Sequence, residues 1–195
     1  MSEPAGRLPT FADILALGEH VHAEIIAGEL VIHASPSWPH GYAATGLSGE
    51  LGAPFQRGRG GPGGWWILTE VDIELSSGDD VRPDLIGIRR SRMPSPPTER
   101  PLRVDPEFVA EILSPSTAAF DLGEKRAAYH TARVEHVWFV DPSLRTLTVL
   151  RWSADGYVIL GVYRGGPPVA LPPFEAVAVD VSALFPAEPE PGAAL

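Results

Sequence analysis

Two acidic residues stand in apolar surroundings, where a buried charge needs a partner. Asp84 directly follows Pro83 and opens an apolar run, and Glu111 interrupts the apolar run of residues 108–113. An unpaired carboxylate in a sheet core is costly, so such a group is normally paired with a base or bound to a metal. For Glu111 alone, a salt bridge to an arginine is an equal alternative. Two acids that enter one sheet from adjacent strands favour a divalent cation, because hard oxygen ligands suit Mg²⁺.

The basic residues are distributed unevenly between the two types. Fourteen of the 15 are arginine, and the single lysine is Lys125. The chain uses arginine wherever a generic positive charge suffices, which favours a special role for Lys125 at a site that needs a compact, titratable ammonium. The alternative is that Lys125 pairs only with Asp121, one helical turn earlier, in an exposed contact worth about 0.3–0.5 kcal/mol.

Overall charge and composition exclude several kinds of chemistry. The formal net charge of -10 disfavours a protein that coats nucleic acid nonspecifically, because that binding needs many Lys and Arg contacts to phosphate. An arginine cluster at residues 89–92 would form either a local basic rim or a solvated loop. The chain has no cysteine, which excludes disulfides, thiolate nucleophiles and zinc fingers. No apolar stretch is long enough to span a bilayer, so we expect a cytoplasmic protein without a membrane partner.

Other motifs that carry chemistry are incomplete in this sequence. The glycine-rich segment 58–64 lacks the Gly-Lys-Ser/Thr ending of a phosphate-binding loop, so we interpret it as a surface turn. No His-Glu-x-x-His pair supports a zinc hydrolase, and residues 46–49 lack the glycine spacing of a serine nucleophile elbow. The acids and the lysine therefore remain the main candidates.

The elements that must position these residues follow from hydrophobic periodicity and from turn residues. In the first part of the chain we predict a helix from Thr10 to Gly18, a hairpin of residues 21–26 and 29–33, a turn over 36–39 and a helix over 40–56. Glu50 on that second helix is either an additional acid near the cation or a solvent-facing residue. Next come strands at 65–75, 81–88 and 108–113.

The remaining chain alternates helix and strand before it ends in a polar segment. The spacing of Asp121 and Glu124 is that of a capping box, so we predict that a helix starts at Asp121 and includes Lys125. A strand at 136–140 and a hairpin of residues 146–152 and 157–163 follow. At 195 residues, the chain fits one α/β domain over residues 1–187, with a disordered acidic, proline-rich tail at 188–195.

Four fragments, in this order, resemble a known group of proteins. They are Arg-Pro-Asp-Leu at 82–85, Ala-Glu-Ile-Leu-Ser-Pro-Ser-Thr at 110–117, Asp-Leu-Gly-Glu-Lys at 121–125 and Val-Trp-Phe-Val-Asp-Pro at 137–142. The sequence is similar over residues 10–185 to a bacterial family called putative restriction endonucleases, domains of unknown function within the PD-(D/E)XK nuclease superfamily. The resemblance implies a restriction-endonuclease-like mixed β-sheet core of order α-β-β-β-α-β, with an N-terminal helix and hairpin and a C-terminal β-hairpin.

The resemblance also implies a site and a reaction. Asp84 and Glu111 would bind Mg²⁺, with Mn²⁺ as a substitute, and Lys125 would complete a catalytic set that hydrolyses phosphodiester bonds of DNA. The superfamily places its lysine two residues after the second acid, where this chain has Leu113. This family moves the lysine to the following helix, where Lys125 stands.

Two expectations concern assembly and activity. Cutting both strands of a duplex needs two sites related by a two-fold axis, so we expect a homodimer, with the hairpin at residues 146–163 as the candidate interface. The alternative to an enzyme is a weak or inactive nuclease-fold protein that acts as a dimeric nucleic-acid-binding or scaffold module. Leu113 at the usual lysine position is the main support for that alternative.

Overall fold

The computed structural model describes residues 7–18 and 20–187, and the predicted tail at 188–195 lies outside the described residues. The α-helices are α1 (Phe11–Ala16), α2 (Trp38–Leu51), α3 (Ala118–Phe120) and α4 (Arg126–Thr131). One π-helical turn, Gly52–Gln56, extends α2, a second, Asp121–Lys125, joins α3 to α4, and a 3₁₀ turn spans Val181–Leu184. The strands are β1 (His22–Ile26), β2 (Glu29–His33), β3 (Trp65–Thr69), β4 (Ile73–Glu74), β5 (Asp80–Val81), β6 (Leu85–Arg89), β7 (Phe108–Ile112), β8 (His136–Asp141), β9 (Thr146–Arg151) and β10 (Val158–Tyr163).

The larger of two sheets is the predicted core. Its six strands have the order β10-β9-β8-β7-β6-β3, and only β7 and β8 are parallel. A parallel pair needs a crossover connection, and the helical segment from α3 to α4 supplies it. The order α2, β3, β6, β7, α3–α4, β8 confirms the expected α-β-β-β-α-β core, and both predicted hairpins are present.

The smaller sheet was not expected as a separate unit. It has the order β2-β1-β5-β4, so the N-terminal hairpin pairs with two short strands from the middle of the chain. The predictions of single strands at 65–75 and 81–88 were therefore wrong. Glu70, with a φ of 51°, ends β3, and Pro83, which has no backbone N–H, lies between β5 and β6. Asp84 consequently lies at the junction of the two sheets.

Two helices begin earlier than predicted. Helix α2 starts at Trp38 because Pro39 lies in the first turn, where proline is tolerated. The predicted capping box at Asp121 was also wrong, since Thr117 precedes the first helical residue and Asp121 is a buried residue inside the helical segment. None of the described helices is long and apolar enough to cross a membrane.

Hydrophobic residues cover both faces of the larger sheet. Along β7, Phe108, Ala110 and Ile112 pack with α2 and the C-terminal segment, whereas Val109 packs with the α4 side. Because successive side chains of a strand alternate between its faces, Glu111 lies on the side of α4. The buried acid therefore faces the helical segment that carries the single lysine.

Asp80 in β5 provides a test of this packing through the pH dependence of stability. Its Oδ1 atom is buried and accepts no hydrogen bond from the described residues. Burial, followed by the charges of Glu74 and Asp72, raises the pKa of Asp80 to about 6. The folded state therefore binds the proton more tightly than the unfolded state, so this residue's contribution to stability is lost as pH rises from about 4 to 6.

We predict that Asp80→Asn increases the free energy of unfolding by about 1–2 kcal/mol above pH 6, and by much less below pH 4, because asparagine does not titrate. Urea unfolding at pH 8 and pH 4 measures this difference. Asp155→Asn, at an exposed turn position, is the control and should have little effect at either pH. An equal gain for Asp80→Asn at both pH values would contradict the prediction.

Candidate functional site

A cavity opens where the two sheets meet, and the three residues predicted from the sequence all line it. Asp84 comes from the segment between β5 and β6, Glu111 from β7 and Lys125 from the π-helical turn. Glu24 of β1 and His40 of α2 also line the cavity. The fold therefore brings together residues that are far apart in the sequence.

Asp84 is fixed by two contacts, one at each carboxylate oxygen. The backbone N–H of Ile112 donates to Oδ2 at 2.6 Å, which ties the start of β6 to the end of β7. Nε2 of His40 lies 3.1 Å from Oδ1. Burial alone would lower the pKa of His40, but the adjacent Asp84 carboxylate raises it overall. Asp84 is therefore held next to the strand that carries Glu111.

Glu111 pairs with the single lysine rather than with an arginine. Nζ of Lys125 lies 2.8 Å from Oε1 of Glu111, and the hydroxyl group of Tyr129 donates to the same oxygen. All three side chains are buried. A charge buried inside a protein needs an opposite charge and hydrogen bonds, and Lys125 and Tyr129 supply both to Glu111.

Lys125 is buried, with only 4% of its side chain exposed. Its closest partners are Glu111 and Glu24, whose Oε1 lies 3.1 Å from Nζ, whereas Asp121 Oδ1 is 3.8 Å away. Burial alone would lower the pKa of Lys125, but Glu111 and Glu24 raise it, so the ammonium remains charged. The interpretation of an exposed pair with Asp121 was wrong.

The position two residues after the second acid has a structural role. Leu113 belongs to the hydrophobic cluster on the α4 side of the larger sheet. A lysine there would have to leave that cluster, whereas Lys125 reaches Glu111 from the adjacent helical segment. Lys125 therefore contacts Glu111 from the helical segment rather than from the end of the strand that carries the acid.

Glu24 is the member of this cluster that the sequence analysis did not select. Its Oε1 accepts a hydrogen bond from the backbone N–H of Arg82 at 2.6 Å, and its Oε2 lies 2.7 Å from Nε2 of His33. A signal for Glu24 was present, since it interrupts the apolar segment of β1 as Glu111 interrupts β7.

Carboxylates outnumber ammonium groups around the cavity. Glu24, Asp84, Glu111 and Asp121 surround one lysine, and all five residues line the cavity. Burial is the largest cause that raises the pKa of Glu111, and the other three carboxylates raise it further against the opposing effect of Lys125. Burial would also raise the pKa of Glu24, but Lys125 and His33 lower it to about 2. The cluster therefore has a surplus of carboxyl groups over cationic groups, and burial favours the protonated form of Glu111.

This surplus fits a divalent cation. The donors available from Asp84 and Glu111 are the hard carboxylate oxygens that Mg²⁺ prefers, and a cation would offset the repulsion among the acids. Within residues 7–18 and 20–187, no group of three or more His, Asp and Glu side chains has a geometry that could hold a metal ion. The fit therefore rests on the donor type and the charge of the two acids.

Glu50 and the arginine cluster at residues 89–92 were also considered from the sequence, and neither lines the cavity. Glu50 accepts a hydrogen bond from the backbone N–H of Asp180 at 2.8 Å, so it connects α2 to the C-terminal segment. The arginines of the expected basic rim are engaged within the protein. Arg92 pairs with Glu107, and the guanidinium groups of Arg89 and Arg90 lie over the Trp65 and Trp66 rings.

Comparisons with known proteins identify the family and the fold of this chain. The family model described as "Uma2: Putative restriction endonuclease" matches residues 8–182. The chain is also similar to a solved structure described as "a putative nuclease belonging to DUF820" from Anabaena variabilis ATCC 29413, with 18% sequence identity and a TM-score of 0.71. That similarity covers 90% of this chain and 97% of the other, and it shows a shared fold. The comparison with curated proteins gave no match.

The buried charges predict how the site contributes to stability. Lys125→Met leaves Glu111 and Glu24 without their cation, so we expect the free energy of unfolding to fall by about 3–5 kcal/mol at pH 7. Adding Glu111→Gln should recover part of this loss, because it removes one of the uncompensated charges. Urea unfolding measures both effects. Arg126→Met is the control at the next, exposed position and should change stability by about 0.5 kcal/mol or less. An equally small effect of Lys125→Met would contradict this account.

Proposed function

Because the chain belongs to the Uma2 family, described as "Putative restriction endonuclease", we propose that it is a metal-dependent endonuclease that hydrolyses phosphodiester bonds of DNA. The observation that carries this proposal is the convergence of Asp84, Glu111 and Lys125 in one cavity with a surplus of carboxylates. We propose Mg²⁺ as the cation, Mn²⁺ as its substitute, and the cytoplasm as the location.

The proposed roles follow from the contacts of each side chain. Held by Asp84 and Glu111, Mg²⁺ would polarise the scissile phosphate and lower the pKa of a bound water molecule. The backbone N–H of Ile112 and the His40 ring fix the orientation of Asp84, and the Tyr129 hydroxyl does the same for Glu111.

The Lys125 ammonium lies beside Glu111 and remains charged, so it can orient the attacking water or stabilise negative charge that develops on the phosphate. Its position is fixed before substrate binds, because two carboxylates already hold it. Preorganised charge of this kind stabilises a transition state without the cost of reorienting the group during the reaction.

The electrostatics of the cavity support the metal dependence. A phosphate brought to a cavity lined by five carboxyl groups, one ammonium and one guanidinium would be repelled by the surplus negative charge. The net charge of -10 adds to this repulsion at longer range. Asp84 and Glu111 would hold a divalent cation that offsets part of this charge and offers phosphate a direct ligand, so we expect productive DNA binding and catalysis to share the same metal requirement.

The second candidate is an inactive nuclease-fold protein that serves as a dimeric nucleic-acid-binding or scaffold module. Its main support was Leu113 at the usual lysine position. Lys125 weakens that support, because its ammonium reaches Glu111 at 2.8 Å from the neighbouring helical segment. Activity measurements distinguish the two candidates.

We predict nicking of supercoiled plasmid DNA in the presence of Mg²⁺ or Mn²⁺ and complete loss of nicking in Asp84→Asn, which removes an anionic oxygen donor. Lys125→Arg should lower the rate by roughly 10² to 10⁴-fold, because a planar guanidinium does not replace a compact ammonium at a tight site. Glu50→Gln is the control, since Glu50 lies outside the cavity.

Absence of cleavage by the wild-type protein with Mg²⁺, Mn²⁺ or Co²⁺ would support the scaffold alternative. Wild-type cleavage by Lys125→Arg would remove Lys125 from the proposed catalytic set and leave the two acids in place.

We also propose that the protein forms a homodimer through β10. This strand is an edge of the larger sheet, and it exposes apolar side chains that include Ile159, 61% exposed, and Val162, 54% exposed. An open edge with exposed apolar residues favours pairing with another strand, and a two-fold axis would pair β10 with its own copy. Two active sites would then be related by the symmetry needed to cut both DNA strands.

Light scattering at micromolar concentration tests the dimer. We expect twice the chain mass for the wild-type protein and the chain mass for Ile159→Lys, because a charge at the edge disfavours strand pairing. Leu144→Lys, at an exposed apolar position in the turn before β9, is the matched control and should remain dimeric. A wild-type protein with the mass of one chain would contradict the proposal.

A further inference from the structure

Glu24 is a buried acid to which the proposed reaction gives no role. It lies in β1, in the smaller sheet, and only 1% of its surface is exposed. Its neighbours along the strand, Ala23 and Ile25, belong to an apolar cluster. A charge at such a position is destabilising unless specific partners compensate for it, so its partners indicate why the residue is charged.

The two oxygens of Glu24 hold three groups from different parts of the chain. Oε1 accepts a hydrogen bond from the backbone N–H of Arg82 at 2.6 Å and lies 3.1 Å from Nζ of Lys125. Oε2 lies 2.7 Å from Nε2 of His33, on the neighbouring strand. Oε1 is therefore hydrogen-bonded within the protein, whereas Oε2 lies at ion-pair distance from His33 without the geometry of a hydrogen bond.

The contact with Arg82 bears directly on Asp84. Only Pro83 separates these two residues, and the proline ring fixes one of the backbone dihedral angles between them. The Asp84 carboxylate is then held by the Ile112 N–H on the other side. Glu24 thus fixes the backbone segment that places Asp84 at the cavity.

The contact with Lys125 determines where the ammonium lies. A lysine side chain is long and flexible, and in a buried site it would pair fully with the nearest carboxylate. Glu111 already receives the Tyr129 hydroxyl at the oxygen nearest to Nζ. With Glu24 at 3.1 Å, the ammonium is shared between two carboxylates rather than paired with Glu111 alone.

On the basis of the proposed function, we infer that Glu24 is a positioning residue that uses one carboxylate to fix both the Lys125 ammonium and the Asp84 segment. It acts through these residues and binds neither the cation nor the substrate. The smaller sheet, which carries Glu24 on β1 and His33 on β2, is accordingly part of the catalytic architecture.

The presence of a single lysine allows a direct test. Selective ¹³C labelling of lysine gives NMR signals from one side chain, that of Lys125. In Glu24→Gln we expect the Cε signal to shift and broaden, because the ammonium loses one of its two anionic partners. We also expect kcat for plasmid nicking to fall by roughly 10–100-fold, the range for residues that orient a catalytic group. The KM for DNA and the Mn²⁺ concentration at half-maximal rate should change by less than about threefold, because the glutamine carbonyl oxygen can still accept the Arg82 N–H and keep the Asp84 segment in place.

Two further variants complete the experiment. Glu50→Gln is the matched control, since Glu50 is also a carboxylate that accepts a backbone N–H, and neither readout should change. Glu24→Asp retains the charge but shortens the side chain, so it should shift the lysine signal and lower kcat in a folded protein even if Glu24→Gln does not fold.

Three results would overturn the inference: wild-type kcat in a folded Glu24 variant, loss of activity with an unchanged lysine signal, or a large increase in the Mn²⁺ requirement of Glu24→Gln, which would make Glu24 a metal ligand. Lack of wild-type cleavage would contradict the proposed function instead. The lysine signal would still report whether Glu24 positions Lys125.

Discussion

The buried ammonium of Lys125 is the interaction on which the architecture of this site depends. A lysine inside a protein requires anionic partners, and Glu111 and Glu24 provide them from the larger and the smaller sheet, respectively. The two sheets and the helical segment after β7 therefore meet at one charged group. Removing Lys125 leaves two buried carboxylates without their cation, and removing either acid leaves the ammonium with one close partner, so the three elements are coupled energetically as well as spatially.

The backbone is interrupted where these elements meet. Glu70 and Pro83 end the strands that would otherwise run through the junction, and Asp84 enters the cavity directly after the second interruption. On the opposite wall, a π-helical turn includes both Asp121 and Lys125, which are buried. Such turns are frequent at functional sites because they alter the direction of side chains within a helix. Irregular backbone thus occurs next to Asp84 and at Lys125.

The charge balance connects the structure to the proposed chemistry. Four carboxyl groups around one ammonium are costly in a site partly closed to water, and the pKa of Glu111 is raised first by its burial and then by the neighbouring carboxylates. In the proposed function, a divalent cation would relieve this repulsion and would make an acidic cavity attractive to phosphate. The surplus of carboxyl groups that would destabilise the isolated protein is thus the same feature that would favour a bound cation in the proposed function.

The sequence by itself determined the core order of elements and three members of the cluster. Asp84 and Glu111 were found because acids in apolar surroundings need partners, and Lys125 because it is the single lysine. The tertiary structure decided the rest. The division into two sheets, the burial of Asp121 within a helix and the meeting of Glu24 with Lys125 arise from long-range pairing. Local periodicity and capping patterns report only on neighbours along the chain, and the spacing of Asp121 and Glu124 satisfied such a pattern. Burial in the folded protein, which depends on strand register and on a helix packed against the sheet, overrode that local preference.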